Sequence, residues 1–474
     1  MNIFIFHRDL RIIDNTTLIK MMSLTGNIIP IFIFPPEQID KIKNKYFSNN
    51  SVQFMIESLL ELNHKIKKLK SKIYFFKGDN IVVLKEILKN NKINSIGFNI
   101  DYSPYAIKRD KQIEKLCKNN KIELYKYEDY PMYNITDSTT YNKSGKPYTV
   151  FTPFRKNLEK THIVRTPSKF KKFTFGKEEK LKLNKFYFKL KKLTTLYINN
   201  PNINVKGGRK NGIKILKKIK NWNKYNDKRN CLTYKTTFLS AYLHFNVVSI
   251  REVYYTILNS LGKNNLLLNE LHWRDFYMNI SFNFPHVLDG MIKKKSKSFR
   301  EDYDKIKWSK SKKNLKKWQD GKTGYPIVDA CMNQLNTTGY MHNRGRMIVA
   351  SFLTKHLLID WREGEQYFAT KLVDYDCHSN NGGWQWSSGS GTDAQPYFRI
   401  FNPWTQGKKF DPSGKYIKKW VPELIKVDIK DLNKWESKEV RLKYIKIINY
   451  PEPIVDHRQA RERVLKVYKK ALNT

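Results

Sequence analysis

Short apolar runs punctuate the first 130 residues, at NIFIF (2–6), NIIPIFIF (27–34), KIYFF (72–76), INSIGFNI (93–100) and IELYKY (122–127). Their length and their isoleucine and aromatic content predict buried strands. Between them, SVQFMIESLLELNHKIKKL (51–69), with Ser51 as its N-cap, repeats apolar residues at helical spacing. DNIVVLKEILKNN (79–91) and SPYAIKRDKQIEKLCKNN (103–120) do the same. Strand–helix alternation predicts an α/β domain over residues 1–130, built on a doubly wound, Rossmann-like parallel sheet. No GxGxxG follows the first strand, so a standard dinucleotide site is not expected there.

Residues 131–205 lose this periodicity and read as a Lys-rich, irregular stretch (KPYTVFTPFRK, KFKKFTFGKEEKLKLNKF). Its length suits an interdomain connection better than a loop. Beyond it the strand signal vanishes. SIREVYYTILNSL (249–261), YPIVDACMNQLNTTG (325–339) and RMIVASFLTKHLLIDW (346–361) predict helices of an all-helical domain over residues 206–474. No internal repeat is present. GKTG (321–324) is not a P-loop, because Lys316 stands where the earlier glycine belongs and no strand precedes it. HExxH, GxSxG and the kinase motifs are absent too.

Composition narrows the class. A chain with 10 Trp, 28 Tyr and 27 Phe is not disordered. A net charge of +46 attracts polyanions, nucleic acid first among them. Lys, Asn and Ile are abundant together, as an A/T-rich genome would produce, so charge alone names no partner. The 4 cysteines are scattered without CxxC spacing, which fits a reducing compartment and predicts neither zinc nor a disulfide framework. Arg8 and Asp9 interrupt the amino terminus too early for a signal peptide, and no apolar stretch approaches the roughly 20 residues of a membrane span. A soluble intracellular protein is expected, in cytoplasm, nucleoid or nucleus according to the host.

Polar residues without an evident structural need collect among the aromatics of the carboxy-terminal half. Glu270, Trp273 and Arg274 in NELHWRDFY share one helix face by their spacing. Asn343, Arg344 and Arg346 lie in MHNRGRM, and Asp374, Asp376, Asn380 and Asn381 in DYDCHSNNGGWQW. Charges in so aromatic a setting must be paired or must bind something. Trp273, Trp308, Trp361, Trp384 and Trp386 occur in the same stretches.

These segments, with LSAYLHFNVVS, GKTGYPIVDACMNQLNTTGYMHNRGRMIVASF and GTDAQPYFRIFNP, resemble the photolyase/cryptochrome flavoproteins. FHRDLRIIDN is similar to that family's opening loop, and the likeness runs to HRQARERVLKVYKKAL at the end. Within the family, SNNGGWQW and Met347 look like class I cyclobutane pyrimidine dimer (CPD) photolyases, as does Asn380 at the position facing flavin N5.

The resemblance implies light-driven DNA repair, in which excited, reduced FAD passes an electron to a flipped-out pyrimidine dimer and splits it. It implies FAD held by Tyr225, Thr236, Thr237, Phe238, Leu239, Ser240, Arg346, Asp374, Tyr375, Asp376 and Asn380, with Asn380 and Glu270 catalytic. Arg229, Glu270, Trp273, Asn343, Arg344, Met347, Trp386 and Gln406 would meet the lesion and its flanking DNA, and Trp384, Trp361 and Trp308 would relay electrons to the flavin. No metal is implied. A folate antenna in the usual mode is not expected, because its positions read Ala106, Leu288 and Asp289. A deazaflavin, a second flavin or no antenna all remain open. The expected partner is UV-damaged DNA, met by a monomer. A cryptochrome-type photoreceptor is the alternative, and a DNA-binding protein without enzymatic activity a second one.

Overall fold

A computed structural model describes residues 1–137, 140–176, 181–291 and 295–473. Five strands, β1 (Asn2–Phe6), β2 (Ile28–Phe34), β3 (Tyr74–Lys77), β4 (Ser95–Ile100) and β5 (Glu123–Glu128), form one sheet in the order β3-β2-β1-β4-β5. Every pairing is parallel, so each connection must cross over, and helices Thr16–Leu24, Asn49–Lys67, Asn80–Asn90 and Pro104–Asn119 lie in those crossovers. β2 is buried along its whole length, as its unbroken apolar run requires. The remainder is mostly helical. Among the described residues, no helix is long and apolar enough to cross a membrane.

Three expectations need correction. The helix expected from Ser51 begins at Asn49, because Ser48 is the cap and its hydroxyl accepts from the Ser51 amide at 3.3 Å. Segment 131–205 is more structured than its composition suggests. It holds helix Phe151–Thr161 and returns to the sheet, where Phe175 bridges to Ile28 and Tyr187 to Phe76. The helix expected over 346–361 is broken: Asn343–Ser351 is α-helical, Phe352–His356 widens to a π-turn, and Leu358 takes φ +52°. A new helix then starts at Trp361, capped by Asp360. The break turns Lys355 into the core, where its ammonium donates to the Ser388 carbonyl at 2.8 Å.

The sheet is joined to the helical part by a buried ionic cluster. Arg11 and Asp14 follow β1, Asp129 follows β5, and Arg251 comes from helix Ile250–Leu261. Arg251 reaches Asp14 and Asp129 at 2.7 Å each, Arg11 reaches Asp129 at 2.5 Å, and no side chain of the four is more than 4% exposed. Arg8 makes a second tie, from Asp101 at 2.8 Å to Asp376 at 3.2 Å.

Candidate functional site

Helix Cys377–Ser388 carries the densest group of expected residues. Asp376 caps it, its side chain accepting from the Ser379 amide at 3.0 Å. Burial alone would raise the Asp376 carboxyl, but the His244 hydrogen bond and the nearby His378 and Arg8 hold it well below the usual range. The paired asparagines then diverge. Asn381 is structural: its amide donates to the Val287 carbonyl at 2.9 Å and its oxygen accepts from Gln385 at 2.8 Å. Asn380 gives its amide to the Glu365 carbonyl and carboxyl, both at 3.1 Å, which turns its own oxygen away from Glu365.

The glycines between Asn381 and Trp384 are helical, so no Asn–Gly turn forms. Gly382 is needed for close packing, since a Cβ there would lie 2.1 Å from the Tyr277 ring. Gly383 differs: a Cβ there would meet nothing within 4 Å. By helical spacing Asn380, Gly383 and Trp386 share one face. That face is open at its centre.

A second group flanks this helix. Ser240 donates to Asp374 at 2.6 Å, and Arg346 grips both oxygens of the same carboxylate at 2.8 and 3.0 Å. Thr236 meets the Tyr340 hydroxyl at 3.1 Å, and Phe238 packs edge-on against that ring at 5.0 Å. Phe238 occupies the left-handed region at φ +55°, where it turns the chain into helix Leu239–His244. Thr237 and Leu239 are buried in the same turn, the Leu239 amide donating to Thr237 Oγ1 at 3.4 Å. Tyr375 stacks on Tyr46, with ring centroids 6.1 Å apart.

Tyr225 does not join this group through its hydroxyl, which donates instead to Glu270 at 3.3 Å. Arg229 pairs with the same carboxyl at 3.1 Å. Desolvation pushes Glu270 above the ordinary glutamate value, against the pull of Arg229 and Tyr225. The face shared with Glu270 divides. Trp273 stacks on Phe151 at 3.8 Å and 5°, whereas Arg274 turns to the Tyr130 carbonyl at 2.8 Å, on the side of the sheet. Arg344 lies over Phe410, 4.4 Å from the ring centroid, and donates to Asn230 at 2.7 Å. Asn343 is exposed, Met347 is half-buried within reach of its amide at 3.9 Å, and Trp386 and Gln406 are half-buried.

Trp384 and Trp361 are buried in one apolar cluster, and half-buried Trp308 packs against both that cluster and its smaller neighbour around Tyr468. Trp318, which the sequence did not single out, meets Trp384 edge-on at 6.0 Å. Gly364 lies directly beneath Trp384, where a Cβ would fall 2.1 Å from its ring. Gly364→Ala is therefore expected to displace the indole and destabilise the fold by about 1–3 kcal/mol. Urea unfolding monitored by tryptophan fluorescence measures this.

Several participants lacked any sequence signal. Glu365 reads as an ordinary charge in WREGEQYF, and Phe151 lies in the segment expected to be irregular. Their roles depend on contacts across long stretches of chain.

The fold and this arrangement define a protein with an α/β domain and a helical part that gathers paired charges, amides and tryptophans. Residues 2–171 match the family model for DNA photolyase, and residues 267–470 match the FAD binding domain of DNA photolyase. The chain is 34% identical to the deoxyribodipyrimidine photo-lyase of Buchnera aphidicola from Acyrthosiphon pisum, over 99% of this chain and 97% of that one. It is similar to the archaeal photolyase from Sulfolobus tokodaii, solved with two FAD molecules (37% identity, TM-score 0.85, 99% of this chain and 100% of that one). It is also similar to a bacterial class III photolyase from Agrobacterium tumefaciens (32% identity, TM-score 0.88, 100% and 98% coverage). The chain belongs to the DNA photolyase family, and its helical part is that family's FAD binding domain. The residues present fit the cofactor, because a Cβ at Gly383 would meet open space on the helix face that also carries Asn380.

Proposed function

We propose that this chain is a light-driven DNA repair enzyme that splits cyclobutane pyrimidine dimers, acting as a monomer on UV-damaged DNA. The observation that carries this reading is the pairing of two sites: an amide-lined open face at Asn380 and Gly383, and a mouth where Glu270 sits among Arg229, Tyr225 and Trp273. When bound, reduced FAD supplies the light absorption and the single electron that the reaction needs.

Everything else falls to the protein. Thr236, Thr237, Phe238, Leu239 and Ser240 would hold the diphosphate, with Tyr225, while Arg346 and Asp374 set the position of Ser240. Asp376, Tyr375 and Asn380 would hold the ring. A neutral amide at Asn380 tolerates a reduced, anionic ring where a carboxylate would repel it. At the mouth, an extruded dimer would meet the half-buried Trp273 and Trp386, each stacking contact contributing on the order of 1–3 kcal/mol. Glu270 and Asn343 would bond the base edges and Met347 would pack on the lesion, while Arg229, Arg344 and Gln406 would hold flanking phosphates.

The protonation state of Glu365 sets how firmly Asn380 is held. Burial raises this carboxyl to about 7, against the Asn380 hydrogen bond and Lys45. Above that value the carboxylate is the stronger acceptor for the Asn380 amide; below it the neutral acid holds the amide more loosely. The rate of flavin photoreduction is expected to change with a midpoint near pH 7, and the Glu365→Gln profile to be flat. Trp308→Phe is expected to stop photoreduction yet spare repair once the flavin has been reduced chemically.

The likeness to the Sulfolobus enzyme favours a second flavin over a folate as any antenna. Ala106 and Leu288, both 1% exposed, supply neither acid nor thiol at two folate-holding positions.

Binding in darkness tests the substrate assignment. A duplex with one thymine dimer should bind the flavin-loaded protein at least a hundredfold more tightly than its undamaged twin, and both should weaken steeply with salt. Equal affinities would favour the photoreceptor alternative.

A further inference from the structure

A second concavity, of about 360 Å³, shares no lining residue with the site above. It opens between the loop after β1, the carboxy-terminal half of helix Asn49–Lys67 and helix Arg209–Lys217. Leu10, Leu62 and Ile213 contribute apolar lining, and the exposed Lys65, Lys210, Lys214 and Lys217 line the same pocket.

The other charges of the lining are already engaged. Arg209 is paired with Glu252 at 2.5 Å and Arg11 with Asp129 at 2.5 Å, while Glu61 accepts from the Lys210 amide at 2.9 Å. The Arg11 Nε is buried without a hydrogen-bond partner. Among the described residues none of the four lysines has an ion pair. Desolvation and the neighbouring Arg209 guanidinium hold Lys65 below the ordinary lysine value, against the pull of Glu252 and Glu61.

We propose that this pocket binds a small phosphorylated aromatic molecule of the nucleotide class, its ring on the apolar lining and its phosphates among the lysines. Lysine abundance alone would scatter charge over convex surface. Here four lysines line one pocket together with Leu10, Ile12, Leu62 and Ile213, and its volume lies in the usual range for small-molecule sites, roughly 300–1,000 Å³. A DNA duplex, too wide to enter, would touch only the lysines and leave the apolar lining unused.

Calorimetric titration of the FAD-loaded protein with ADP in darkness tests this, because FAD would already occupy the flavin site. One ADP site is expected, at least tenfold tighter than that for adenosine or for inorganic pyrophosphate. Lys65→Gln combined with Lys214→Glu should weaken ADP at least tenfold, and Ile213→Trp should abolish its binding by filling the pocket. Flavin content and dimer repair should stay unchanged in both variants. No binding of ADP at millimolar concentration, or equal affinity for pyrophosphate, would overturn the proposal. So would lysine variants that weaken binding of an undamaged duplex while leaving ADP untouched, which would assign the lysines to DNA.

Discussion

Arg251→Met is expected to lower the unfolding free energy by about 3–5 kcal/mol, the range for breaking a buried ionic cluster from one side. The side chain is 4% exposed and serves two carboxylates, Asp14 and Asp129, which are 0% exposed. Asp129 keeps Arg11 and Asp14 keeps Arg165, but each loses a hydrogen-bonded cation that water cannot replace. Methionine fills the volume, so the loss measures charge and not a cavity. The pH dependence follows. Burial would raise both carboxyls, yet Arg11 and Arg251 hold both below the ordinary aspartate value. Their contribution to stability is therefore complete above about pH 4, the unfolded value, and is lost as pH falls through the depressed folded values. Urea midpoints of the flavin-loaded protein should fall more steeply from pH 5 to pH 3 in wild type than in the variant. A change below about 1 kcal/mol at pH 7 would mean that the cluster is not the joint between sheet and helices.

Glu270→Ala should leave flavin content and photoreduction intact and lower dimer-specific affinity on the order of 10- to 100-fold, one charge-assisted hydrogen bond being worth about 1.5–3 kcal/mol. The fold should survive, because 38% of the Glu270 side chain is exposed and its removal costs the buried Tyr225 one long hydrogen bond of 3.3 Å. Arg229, freed from its partner, remains available to phosphate. Glu270→Gln should recover part of the affinity, since the amide can still bond a base edge. Dark binding to dimer-containing and undamaged duplexes separates the two effects: the loss should appear with the first alone. Equal loss on both would make Glu270 a prop for Arg229.

How much of this could be read from the chain alone depended on the range of the interaction. The sheet was legible because each strand announces itself in a handful of consecutive apolar residues. Helix Ile250–Leu261 was equally so, its Ser249–Glu252 capping box being local. The break at Phe352–His356 is hidden, since the apolar pattern continues across the turn that brings Lys355 to the Ser388 carbonyl. Asn380 and Asn381 are chemically identical in sequence, and only Glu365 and Val287, brought in from other helices, divide them. The resemblance groups Tyr225 with the diphosphate-binding residues, and its hydroxyl bond to Glu270 links that group to the mouth. Arg274 shares a face with Glu270 by spacing, and its length lets it reach the other domain instead.

The central claim is tested most directly by incubating the protein, with its flavin chemically reduced, with an oligonucleotide carrying one thymine dimer, in blue light and in darkness. Reversal of the dimer to two thymines in light alone is the predicted result, scored by chromatography of the intact strand. Persistence of the dimer under illumination, with reduced flavin bound throughout, would contradict it.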